Sequence, residues 1–272
     1  MARAESLLFP ALLRHWRTNR GYSQLDLAFA AEVSARHVSF LETGRAQPSR
    51  EMVLRLASTL RMPLRDQNEA LRAAGFAEAF PEPGIDGGLP PPITQAIERM
   101  LRQHEPMPMM VLDRAYNVLR LNAGSARLMG RFVHDPSALS ERPNLFAMLF
   151  DPRLLRPYIG EWPRIARAHV ARLHRETLAQ PGARDLGALL RSLFAYPDVP
   201  TSWRHPDFSL PSEATLTLRL VRGDLDLSFL ATVTSFDAPQ NVTLEELKIE
   251  SYFPLDDTTA HTCERLAREA GE

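Results

Sequence analysis

A two-part fold is expected of this chain: a compact all-α N-terminal domain, then a mixed α+β domain built on an antiparallel sheet. Three observations predict it. Between Ser23 and Pro48, short helices with serine caps follow one another at helical period. From Pro81 to Pro92 the run PEPGIDGGLPPP holds five Pro and three Gly, which regular structure does not tolerate. From Ala214 to Phe236 apolar and polar residues alternate on either side of Gly223-Asp224, the period of a half-buried hairpin. The divisions are therefore placed at 1–79 for the first domain, 80–92 for a linker and 93–272 for the second.

The first helix is expected over 7–20, with Leu8, Leu12, Leu13 and Trp16 inward. Ser23 is positioned to cap the second, in which Leu27, Ala28 and Ala31 share a face. Ser34 caps the third, whose inward stripe is Val38 and Leu41, and Gly44 stops it where a left-handed residue is wanted. Pro48-Ser49 opens a fourth helix carrying Met52, Val53, Leu56, Ala57 and Leu60. Pro63 resets the chain before a fifth over 64–74, which ends at Gly75. Ala28 is small where two helices cross at close range.

The third helix keeps Ala35, Arg36, His37, Ser39 and Glu42 off its apolar stripe, and such a polar face suits the DNA major groove. Arg36, His37 and Ser39 are candidates for base edges, with Arg36 able to grip guanine O6 and N7 together. Gln24, at a helix N-terminus, is a candidate phosphate contact, Ser23 and Ser34 are counted with it as DNA-binding candidates, and Arg45 is expected to meet the backbone. Glu42 reads instead as a structural ion pair. The competing readings are a well-capped helical hairpin and solvated surface arginines. Residues 14–61 carry eight Arg against four acids, whereas residues 81–272 carry 21 basic and 25 acidic side chains, so phosphate would meet one domain only.

The string SQLDLAFAAEVSARHVSFLETGRAQP (23–48) resembles the Cro/C1-type helix-turn-helix of phage repressors, the XRE family, through Gln24, Ala28, Val38, Leu41 and the Glu42-x-Gly44 ending. One residue departs from the pattern: Glu32 stands in the turn, where the family has glycine at positive φ. The resemblance implies a homodimer on double-stranded DNA, because one recognition helix reads only a few base pairs.

In the second domain a helix is expected over 93–104, then two strands in MMVLDRAYNVLRLN with a turn near Asp113-Arg114. Helices follow at 123–132, 144–150, 152–179 (broken or kinked by Pro157 and Pro163) and 185–195. The hairpin aligns Leu216, Leu218 and Leu220 with Leu225, Leu227, Phe229, Ala231 and Val233. A third strand, ELKIESYFP, sets Leu247, Ile249 and Phe253 against Lys248, Glu250 and Tyr252, and a helix over 258–269 closes the chain. Helix, two strands, helical excursion and three strands is the order of a PAS-like fold.

The strings HEPMPMMVLDRAYNVLRLN (104–122), WRHPDF (203–208) and NVTLEELKIESYFPLDDTT (241–259) resemble the MmyB-like ligand-binding domain that follows a helix-turn-helix in bacterial transcription regulators. SARHVSFLETGRAQPSREMVLRLA (34–57) is typical of the same group. This resemblance implies a pocket for a small apolar effector, a fatty acid first among candidates. Tyr158, Trp162, Phe194, Trp203, Leu227 and Phe229 are candidate lining residues, all equally consistent with plain core. Arg172, His174 and His205 are candidates to neutralise an acidic head group. A C-terminal domain that only dimerises or binds protein is the alternative.

Catalysis and resident cofactors are not expected. His169 and His174 stand five apart, not the four that aligns two ligands on a helix, and no H-E-x-x-H, phosphate loop or G-x-S-x-G occurs. Lys248 is the sole lysine and lies in a strand, so a self-cleaving Ser–Lys pair is rejected. One cysteine, Cys263, excludes an internal disulfide and a cysteine-based zinc site. No apolar run approaches the ~20 residues that span a bilayer. A cytoplasmic protein without membrane attachment is expected.

Overall fold

The computed structural model describes residues 8–85, 88–180, 182–207, 216–237 and 239–270, without the side chain of Leu216. The expected start of the first helix at Leu7, and Phe208 of the WRHPDF string, lie outside them. The chain forms two units, Met1–Pro83 with Ala238–Glu245, and Gly84–Asp237 with Glu246–Glu272.

In the first unit α1 (Leu8–Asn19), α2 (Gln24–Ala30), α3 (Ala35–Glu42), α4 (Arg50–Thr59) and α5 (Leu64–Ala73) enclose a core that includes Leu13, Trp16, Leu27, Val38, Leu41, Leu56 and Leu71. The stripe of α1 differs from expectation. Leu8 is 52% exposed and Phe9 is buried in its place, because positions 9, 13 and 16 share one helical face. Three serines cap as their positions require: the Ser23, Ser34 and Ser49 hydroxyls accept from the amides of Asp26, His37 and Met52. Asp26 returns the bond to the Ser23 amide and completes a capping box. The helix that Pro63 opens, α5, has no side-chain cap of its own. Its first amide, Leu64 N–H, donates to the Glu245 carboxylate at 2.7 Å, from the segment that also bonds Val242 N–H to the Pro81 carbonyl. A carboxylate there satisfies an orphan donor and complements the helix dipole.

The second unit is built on a five-stranded antiparallel sheet of order β2-β1-β5-β4-β3, from β1 (Met109–Leu112), β2 (Val118–Leu121), β3 (Leu216–Arg222), β4 (Leu225–Thr234) and β5 (Lys248–Pro254). Helices α6 (Pro91–Gln103), α7 (Ala123–Phe132), α8 (Leu145–Phe150), α9 (Trp162–Ala179) and α10 (Arg184–Leu193) join them; α11 (Val242–Glu246) precedes β5, and α12 (Asp257–Glu269) follows it. Apart from α11, the order of these elements is the one read from the sequence. Gly124 in α7 is dictated by close approach, since a Cβ there would lie 2.5 Å from the Pro106 carbonyl oxygen.

Two elements differ from expectation. The helix expected over 152–179 begins only at Trp162, with Pro163 in its first turn, where a missing N–H costs nothing. Before it the chain makes one 3₁₀ turn (Arg156–Tyr158), then Gly160 N–H donates to the Arg219 carbonyl at 2.8 Å and Ile159 bridges Leu220. Those bonds to β3 replace the helical ladder that Pro157 cannot join. The second difference is α11, a short helix where none was expected, directly before β5, which lies at the centre of the sheet. The polar residues Lys248, Glu250 and Tyr252 of β5 therefore face inward, while Phe253 near its end is 44% exposed. Register shows the shared face: Leu112 opposes Lys248, Met110 opposes Glu250, and Ala231 opposes Tyr252.

Candidate DNA interface and ligand-binding interior

In the first unit α3 buries Val38 and Leu41 and turns Arg36 fully outward, with His37 and Ser39 half-buried beside it. The Arg36 guanidinium lies 5.1 Å over the Phe40 ring and that of Arg45 lies 6.0 Å over the same ring. One aromatic platform thus holds both cations near the end of α3. Gly44 takes φ 70 directly after the helix, so the chain can turn and present Arg45. Glu32 takes φ 55 in the turn between α2 and α3, the left-handed conformation for which glycine is the usual choice. It is exposed, and αL backbone strain is the cost of a side chain there.

The hydroxyls of Ser23 and Ser34 are engaged in their caps. The Gln24 amide also has a partner: its nitrogen donates to Glu42 Oε2 at 2.8 Å. Glu42 receives Arg17 as well, at 2.5 Å from Nε to Oε1 and 3.1 Å from the terminal nitrogen to Oε2. That fork explains how a carboxylate side chain only 3% exposed is tolerated. It ties α1, α2 and α3 together beneath the outward face. Arg17 was not among the sequence candidates; an arginine at an otherwise inward helical position was the available signal.

In the second unit the expected ligand residues are dispersed. Leu227 and Phe229 are fully buried core. Trp162 donates its indole N–H to the Leu149 carbonyl at 2.7 Å and carries the Arg156 guanidinium 3.8 Å over its ring. Tyr158 pairs with His134 and lies under Arg222. Arg204 lies over Phe194, and the Trp203 carbonyl is 2.9 Å from His174 Nε2. His205 is exposed. Most of these aromatic and basic tips have found partners in one another or in backbone carbonyls. An apolar cavity of about 20 Å³ lies elsewhere, walled by aliphatic residues of β1, α7, α8 and β3 together with Tyr252. None of the nine expected residues lines it, because its walls come from aliphatic packing that carries no distinctive sequence pattern.

Arg172 belongs to a half-buried polar cluster that sequence reasoning missed. Glu176 on α9 is its hub, accepting from Tyr116 Oη at 2.6 Å, Arg172 Nε at 3.0 Å and Lys248 Nζ at 2.9 Å. Lys248 Nζ also stands 3.7 Å over the Tyr116 ring. Burial alone would raise the Glu176 carboxyl, but Lys248, Tyr116 and Arg172 outweigh it and hold it below the usual carboxylate value. Beside the hub, Tyr252 Oη donates to Glu250 Oε1 at 2.9 Å, and burial pushes the Glu250 carboxyl up. The available signal was the sole lysine alternating with Glu and Tyr in a strand flanked by apolar strands.

Comparison with known proteins gives consistent matches. Residues 93–266 match the MmyB-like transcription regulator ligand binding domain, and residues 9–71 match a helix-turn-helix domain. The chain is 31% identical over 98 residues to the HTH-type transcriptional regulator DdrOP3 of Deinococcus deserti, across 32% of this chain and 76% of that protein. A solved RNA-binding light-oxygen-voltage receptor aligns with 91% of this chain at 13% identity and a TM-score of 0.28. The alignment spans 61% of that receptor, and at such a score the likeness says nothing further. Among the described residues no helix is long and apolar enough to cross a membrane.

Proposed function

Because this chain belongs to the MmyB-like family of helix-turn-helix transcription regulators, we propose that it binds its operator as a homodimer through α3 and senses a small apolar effector in its second unit. That it is a DNA-binding regulator with a ligand-binding domain follows from the family. The observation that carries the finer reading is the outward set Arg36, His37, Ser39 and Arg45 on and just after a rigid, doubly capped helix pair. In this reading Arg36 meets a base edge, Gln24 and Arg45 hold phosphate, and two copies span half-sites about one helical turn apart. The regulator works in the cytoplasm, and its regulated chemistry belongs to other proteins.

The test is operator binding to the intergenic DNA beside its own gene. Arg36→Ala is expected to cost about 1–3 kcal/mol and to relax preference at one or two positions. Gln24→Ala weakens all sequences alike, and its effect includes loss of the bond to Glu42. Equal weakening of every sequence by Arg36→Ala would make Arg36 a phosphate contact and sink the assignment.

For the effector, the aliphatic cavity in the interior supports an apolar molecule, with fatty acids among the candidates the family suggests. The second reading, a domain that only dimerises or binds protein, is favoured by the cavity's size, since about 20 Å³ holds little more than one water. Mass spectrometry of gently extracted protein separates the two: a co-purifying small molecule supports sensing, and none across several preparations supports the interaction module.

A further inference from the structure

The interior of the second unit holds two polar atoms, one on β5 and one on α9, that no neighbour satisfies among the described residues. Glu250 Oε2 and His169 Nδ1 are both buried without a hydrogen-bond partner, in residues 4% and 7% exposed. Such orphans are rare in folded proteins and each costs free energy, so an occupant that satisfies one gains binding energy from it. Glu250 stands beside the aliphatic cavity in register: Met110, directly opposite it on β1, and Tyr252, its hydrogen-bond partner, both line that cavity. His169 projects from α9 with its ring edge-on to Phe146. Glu250 and His169 both feel the charge of Arg172.

The charges around these atoms discriminate between head groups. Arg172 and Lys248, the cations of this interior, are already bonded to Glu176. An anionic head would meet Glu250 while competing with Glu176 for both cations. A cationic head would add a third positive charge beside Arg172 and Lys248. A neutral hydroxyl avoids both conflicts, and it both donates and accepts, so it pairs with Glu250 Oε2 in either protonation state.

Resting on the reading of this unit as a small-molecule sensor, we propose that its effector is an apolar chain ending in a neutral hydroxyl, with the hydroxyl on Glu250 Oε2 and the chain along the aliphatic wall. The cavity is smaller than such a chain and must widen on binding. Met110 and Met129 in its wall are unbranched and adaptable enough to move.

The experiment is calorimetric titration of the full chain with three ten-carbon probes that differ only in head group: 1-decanol, decanoate and decylamine. The expected result is tightest binding of decanol, and a loss of about ten-fold for decanol in Glu250→Leu, which removes both carboxyl oxygens. The head-group order in the unaltered chain tests the proposal without any variant. Tighter binding of either charged probe, or an unchanged decanol affinity in a folded Glu250→Leu chain, overturns the hydroxyl anchor and leaves the sensor reading standing. Failure of all three probes to bind overturns both.

Discussion

Glu42→Ala is expected to destabilise the DNA-binding unit by about 3 kcal/mol, because it strips from a buried arginine its one carboxylate partner among the described residues. Arg17 would keep its bond to the Tyr22 carbonyl at 2.7 Å but lose both contacts of its fork, and Gln24 would lose its acceptor. A partnerless buried cation costs far more than the pair contributes, so the loss should exceed that of any exposed ion pair here. For a unit of this size the shift is about 15 °C in its melting temperature. Hydrogen exchange of peptides within 8–75 reads it locally, undisturbed by the second unit. The double replacement Arg17→Met with Glu42→Leu should recover most of the loss, since it removes both charges and keeps the volume. A change below about 0.5 kcal/mol in Glu42→Ala would mean that water screens the pair and that the three helices are held by apolar packing alone.

The fork also bears on DNA binding. Gln24 is a proposed phosphate contact, yet one of its two N–H groups is committed to Glu42. The carboxylate holds the amide in one orientation, from which its second N–H would have to reach phosphate. Glu42→Ala at a temperature where the unit stays folded should therefore weaken operator binding modestly and uniformly, as loss of pre-organisation does.

The helix-turn-helix was legible because its determinants are local. Serine hydroxyls cap within three residues, glycine turns the chain where a Cβ would strain it, and Ala28 fits a close crossing. Even Glu32, the departure from the family pattern, adopts the backbone conformation that the pattern demands. Leu8 and Phe9 differ only by a phase of 100° at a helix start, which periodicity resolves poorly over one turn. In the second unit the strands were legible from alternation, but alternation does not say which strand is central. Lys248, Glu250 and Tyr252 alternate with apolar residues as they would on an edge strand, and only the order β2-β1-β5-β4-β3 puts them inside. The cavity escaped for a related reason: its walls join residues of 108–155 to β3 and β5, which only the folded sheet brings together. Large aromatics drew attention instead, and most of their polar tips were already paired.

His169 gives the second large effect, and its sign is fixed by burial. Folding encloses the ring among apolar neighbours on α9, and this burial pushes its pKa down from 6.5 to about 4, with Arg172 adding to the shift and Glu176 opposing it. The folded chain binds fewer protons than the unfolded chain between those values. Stability from this group is therefore fully present above pH 6.5 and is lost as pH falls toward 4, by about 3 kcal/mol. Glu250 acts in the opposite direction. Its raised carboxyl contributes most below the ordinary glutamate value and loses that contribution as pH rises through its folded value. Across pH 4 to 7 the two partly cancel in the natural chain, so a single stability curve understates both. Denaturant unfolding of the second unit in His169→Leu should abolish the acid loss and leave the Glu250 slope exposed. In Glu250→Gln the acid loss should become steeper, because the countering group is gone. Glu176, held below the usual carboxylate value, acts at more acidic pH than this window and leaves the comparison intact. Parallel curves for the natural chain and His169→Leu would mean that the ring is hydrated in the folded protein, and that Nδ1 is satisfied by water.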